Sequence, residues 1–151
     1  MAVYKFKLQG ILDIKDKLET QAKQDFANAN LALMEEEALL EQIIQRKNEY
    51  VEEGVKLRSS VIDPVAIAQN KLAIEVMEEN KIKQEREVAV AKRNVDAARK
   101  KMMDARMDTR TFEKLKEDDF ERFMKEQGMA ESKEIDELNS FRFSEKQRRG
   151  E

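Results

Sequence analysis

Ser59-Ser60-Val61-Ile62-Asp63-Pro64 decides the fold of this chain. It contains the single proline of the sequence. Asp63 suits an N-cap, because its carboxylate can accept from the free amides of a first helical turn. Pro64 suits the first helical position, where a missing N–H costs nothing. The residue before a proline avoids helical backbone angles, so an incoming helix must stop nearby. On both sides lie charged, helix-favouring stretches with no comparable break. The expected object is all-α: an antiparallel two-helix coiled-coil hairpin over 1–128, with helix 1 at about 4–58, a turn at 59–64 and helix 2 at about 64–127.

Composition agrees with that grammar. Charged residues make up 40% of the 151 and aromatics 6%, a balance that fits paired helices better than a compact globule. There is no cysteine and no histidine. Disulfides, thiolate metal sites and the commonest general base are therefore missing, which argues against an enzyme and against a resident cofactor or metal. A net charge of -3 gives no nucleic-acid footprint. No apolar run reaches the ~20 residues of a membrane span, and the N-terminus has no signal-peptide core, so a cytoplasmic chain is expected.

Apolar residues recur at steps of three and four, the spacing that keeps one helical stripe against a partner. On the first arm the stripe is Ala22, Phe26, Ala29, Leu33, Glu36, Leu40, Ile43, Lys47, Tyr50, Gly54, Leu57 and Val61. Upstream, Leu18 to Ala22 to Phe26 runs in steps of four, which suggests a local stutter. Gly54 lies on the stripe; it fits a close backbone approach, a bend, or plain tolerance. On the second arm the stripe is Ile67, Asn70, Ile74, Met77, Lys81, Gln84, Val88, Ala91, Val95, Ala98, Met102, Ala105, Thr109 and Phe112, weakening through Lys116, Asp119 and Phe123. Folding about the proline sets positions opposite when their numbers sum to roughly 125. The acidic stretch Glu35 to Glu53 then faces only the start of the basic stretch Lys81 to Arg110. Charge supports the pairing weakly, and Lys92 to Lys101 is left to other partners.

Gly128 is the expected stop of helix 2, as a glycine just past a helix end. Residues 129–151 then form a short C-terminal tail: a short helix over Glu131 to Leu138, followed by a disordered end from Ser144 to Glu151. Phe141 and Phe143 are expected to dock on the stem made by the two chain ends; alternatively they form a linear motif for a partner.

No glycine-rich phosphate cradle can be built from four glycines. Glu35-Glu36-Glu37 and Asp118-Asp119 read as solvated faces rather than paired catalytic carboxylates. Arg99-Lys100-Lys101 reads as a solvated face or as a surface for phosphate or acidic protein. Met102, Met103 and Met107 read as core filling, or as an adaptable contact surface. Such a chain works by shape, between other proteins.

Phe6-Lys7-Leu8-Gln9 and Ile11-Leu12-Asp13-Ile14-Lys15 resemble the opening of the bacterial flagellar export protein FliJ family. Asn48-Glu49-Tyr50 resembles a tract of that family. Lys133, Asp136 and Glu137 match its Lys-x-x-Asp-Glu pattern. The resemblance implies a coiled coil similar to the gamma subunit, or central stalk, of rotary ATPases. It implies partners: the hexameric flagellar export ATPase, whose ring the chain-end region would enter, the cytoplasmic domain of the export gate, and export chaperones. Placement at the cell membrane would come only through those partners. It also makes Asn48, Glu49 and Tyr50 candidates for a partner surface, although Tyr50 falls on the stripe and could equally be core. Two other readings compete. One is a general chaperone holding unfolded export clients. The other is a structural coiled coil that self-assembles in parallel with both arms continuous.

Overall fold

The computed structural model describes residues 2–150. It contains two α-helices, α1 (Gln9–Arg58) and α2 (Pro64–Arg149). No strand occurs among the described residues. The backbone reverses over residues 59–63, so the reading with both arms continuous is overturned. The reversal has the expected chemistry. The Asp63 carboxylate accepts from the amides of Val65 at 3.1 Å and Ala66 at 3.4 Å, and its carbonyl accepts from Ile67. The last carbonyls of α1 find partners too. Arg58 Nε donates to Gly54 O at 3.1 Å, and Ser59 Oγ to Val55 O at 2.7 Å. Val61 stands 94% exposed in the turn and takes no part in the stripe.

The chain divides into two compact units. One is Thr20–Asp104, which contains the turn. There α1 and α2 pack antiparallel along the two stripes read from sequence. Val88, Ala91 and Val95 are buried, and each well-buried branched side chain contributes about 1.5–3 kcal/mol. A two-helix contact cannot enclose everything, so most stripe residues are half-buried. Polar stripe residues of this unit are matched across the contact at three points, while Lys81 pairs with Glu85 on its own helix at 3.9 Å. Gln84 is buried and donates to the Glu36 carbonyl at 3.0 Å and to its carboxylate. Lys47 pairs with Glu78. Asn70 Nδ2 donates to Tyr50 O at 2.8 Å. These pairs have numbers summing to between 120 and 125, close to the expected offset.

Gly54 is buried, and its role is close approach. A β-carbon there would run into the Asn70 carboxamide, with Cγ only 3.3 Å away. The missing side chain is what lets Asn70 reach the Tyr50 carbonyl.

The other unit comprises Met1–Glu19 and Ala105–Glu151. Leu12 is buried, and Thr109 is only 2% exposed. The Thr109 hydroxyl sits 3.2 Å from Lys15 O on the opposite segment and 3.0 Å from Ala105 O on its own turn. Lys15 also pairs with Asp108 at 3.4 Å.

Four sequence readings change here. Helix 1 starts at Gln9, not near Tyr4. Tyr4, Phe6 and Leu8 alternate with Lys5 and Lys7, and Tyr4 and Phe6 are both half-buried in a non-helical segment; a period of two suits extended backbone. Second, no stutter occurs near Leu18. Leu18 is exposed while Lys15, Glu19 and Ala22 are half-buried, so the stripe keeps alternating through Glu19. Third, α2 does not stop at Gly128, where the backbone has no positive φ. A helical glycine costs about 1 kcal/mol, and the helix-favouring sequence around it carries the helix through. Fourth, Ser144 to Arg149 is helical rather than disordered; Arg149 pairs with Glu145 at 2.9 Å on the last turn. Glu151, also expected to be disordered, lies outside the described residues.

Candidate functional site

The chain-end unit is closed by Tyr4. Its ring meets Phe120 edge-on at 5.1 Å between centroids and Phe123 at 5.3 Å. Its hydroxyl lies 3.0 Å from Asp119 Oδ2 and 3.3 Å from Lys116 O. Lys116 in turn donates to Gln9 Oε1 at 2.7 Å. This clasp fastens the extended segment ahead of α1 onto α2. Sequence reading missed it by treating Tyr4 as helical; the alternation Tyr4, Phe6, Leu8 was the available signal.

Burial, then the hydrogen bond to Asp119 and the charge of that carboxylate, hold the Tyr4 hydroxyl above its ordinary 10.0. The folded chain therefore favours the protonated phenol. That stabilisation is whole below pH 10.0 and is lost as pH rises through the raised value. In urea melts from neutral to strongly alkaline pH, Tyr4→Phe should lose part of the alkaline decline seen in the parent chain. Equal slopes would show that the clasp does not titrate.

Asn48 and Glu49 are exposed on α1, and Tyr50 is half-buried. Arg46 organises this patch. It pairs with Glu49 at 2.9 Å, donates to the Tyr50 hydroxyl at 3.1 Å and lies 4.6 Å from the Tyr50 ring centroid. Hydrogen bonds to Glu49 and then Tyr50 hold the Arg46 guanidinium pKa above its ordinary value. Tyr50 therefore belongs to the stripe through its backbone and half-buried ring, and to the surface through its hydroxyl.

Arg99, Lys100 and Lys101 are exposed on α2. Arg99 is engaged: it lies 5.6 Å from the Phe26 ring centroid on the other helix and 3.5 Å from Asp96. Lys100 and Lys101 project from the helix beside it. Of the methionines, Met102 is half-buried on the stripe, while Met103 and Met107 are exposed.

Phe141 and Phe143 are 67% and 64% exposed. The expected docking onto the stem does not occur. Because α2 continues unbroken past Gly128, nothing folds these rings back. Every described residue from 128 to 150 is exposed, including Ile135 and Leu138. Among the described residues no group of three or more acidic, histidine or cysteine side chains could hold a metal ion, and no helix is long and apolar enough to cross a membrane.

Comparison with known proteins fits this geometry. Among solved structures, a chain described as a YscO homolog from Chlamydia trachomatis is similar, with a TM-score of 0.57 and 20% identity over 92% of this chain and 94% of that one. That likeness shows the two-helix fold. No curated protein matches the sequence. The family model described as flagellar FliJ protein matches residues 4–148. The clasp, the paired stripes and all but the last residue of α2 lie within that span, and the chain belongs to the FliJ family, a component of flagellar protein export.

Proposed function

We propose that this chain is a non-catalytic adapter of the export apparatus. It binds the hexameric export ATPase in the manner of a central stalk, raises its hydrolysis rate, and links it to the cytoplasmic domain of the export gate and to substrate chaperones. The observation that supports this reading is the family match across nearly the whole chain, on a fold of two long paired helices. Asn48, Glu49 and Tyr50, with Lys100 and Lys101, are candidate surfaces for these partners. The chain works in the cytoplasm and meets the membrane only through those partners.

The test is direct. Purified chain added to the flagellar export ATPase should raise turnover and co-elute with it. Unchanged turnover together with separate elution would discard the stalk role. A second reading, a holder of unfolded clients, draws on the exposed apolar residues of the α2 extension. It requires the chain alone to suppress aggregation of an unrelated unfolded protein.

A further inference from the structure

The last turns of α2 carry an apolar stripe that no other part of the described chain covers. Ile135, Leu138 and Phe141 recur at steps of three on one face, and all three are exposed. A lone helix of this kind ordinarily finds a partner.

Charge says which partner. Before Leu138 the segment is acidic: Glu131, Glu134, Asp136 and Glu137 against Lys133. After it the segment is basic: Arg142, Lys146, Arg148 and Arg149 against Glu145. The pattern inverts about Leu138. A two-fold contact matches residue i with residue j and j with i, so a stripe with opposite charges at its two ends complements itself when reversed.

We infer that the α2 extension is a self-recognition surface: two copies of this chain pair antiparallel through residues 131–145, with Leu138 against Leu138 at the two-fold axis. Ile135 of each copy then meets Phe141 of the other, which gives three apolar layers. Glu134 of each copy faces Arg142 of the other. Glu131 faces Glu145, an unfavourable match tempered by Arg149, which already holds Glu145 at 2.9 Å. A parallel pair would instead set acid on acid and base on base, which is destabilising.

Only the chain itself is needed for the test. Sedimentation equilibrium should show a monomer–dimer equilibrium that weakens with added salt, since its flanking pairs are exposed. Leu138→Asp should raise the dissociation constant by about tenfold or more, with the helical signal of the monomer unchanged. Glu134→Arg should also weaken pairing, because the new arginine faces Arg142 of the second copy. Glu134→Arg combined with Arg142→Glu should restore it. The chain has no cysteine, so single spin labels can be placed cleanly. Labels at Asn139 should lie side by side between copies. Labels at Gln147 should sit ~27 Å apart along the axis, from 18 residues at the helical rise. A chain that stays monomeric at its solubility limit overturns the proposal and leaves the stripe to a different protein. Short distances at both label sites overturn it in favour of a parallel pair.

Discussion

Val95→Asp should unfold the Thr20–Asp104 unit or leave it barely stable. Val95 is 5% exposed and ends the buried run Val88, Ala91, Val95. Polar partners on the stripe are spoken for: Gln84 by Glu36, Lys47 by Glu78, Asn70 by the Tyr50 carbonyl. A carboxylate introduced at Val95 would lose water, and Arg99, one turn further along the helix, is already engaged by Asp96 and the Phe26 ring. An uncompensated buried charge costs about 3–5 kcal/mol, a large part of the ~5–15 kcal/mol that holds an ordinary domain. Val90 supplies the control. It lies on the same helix but is 44% exposed, so Val90→Asp should change stability by less than about 0.5 kcal/mol. Urea melts followed by far-ultraviolet dichroism measure both. Acid should partly rescue Val95→Asp, because protonation removes the buried charge. Similar melts for the two variants would mean that the helices are not held by this seam.

The second large effect has an unusual sign. On an isolated helix, glycine to alanine gains about 1 kcal/mol. Gly54→Ala should instead destabilise by about 1–3 kcal/mol, the range for overpacking a tight contact. Its new methyl would displace the Asn70 carboxamide and break the 2.8 Å bond to the Tyr50 carbonyl. The cause is isolated by a second change. In an Asn70→Ala background the obstruction is gone, so Gly54→Ala should turn stabilising and recover its helical propensity. Such a reversal is non-additivity between neighbours in contact. Gly54→Val should be worse than Gly54→Ala in the parent chain, because its extra methyls crowd the same space. If Gly54→Ala stabilises the parent chain, the close approach does not govern this turn of helix.

Much of the fold could be read before any coordinates. Asp63-Pro64 announced the reversal because a cap and a fixed φ are local chemistry. The stripes from Ala22 to Leu57 and from Ile67 to Phe123 were legible because burial on a helix follows a period, and half-burial or burial appears at each of those positions. What stayed hidden depended on residues far apart in sequence. Tyr4 is placed by Phe120 and Asp119, which no local pattern names. Gly54 was ambiguous until Asn70 stood opposite. Gly128 looked like a stop because glycine often caps helices, yet nothing downstream folds back to end α2 there. The surface patches were the least legible. Exposure of Asn48 or Lys100 does not distinguish a contact residue from a solvated one.

The matched polar pairs inside Thr20–Asp104 have a mechanical consequence. Displacing one helix along the other by a heptad, about 10 Å, would strand Gln84, Lys47 and Asn70 opposite the wrong groups at once. A buried polar group without a partner costs about 1–3 kcal/mol, which applies in full to Gln84; the half-buried Lys47 and Asn70 add smaller penalties. The two helices of this unit are thereby held against sliding past each other. Any mechanical signal carried along it must pass through a pair whose register is locked.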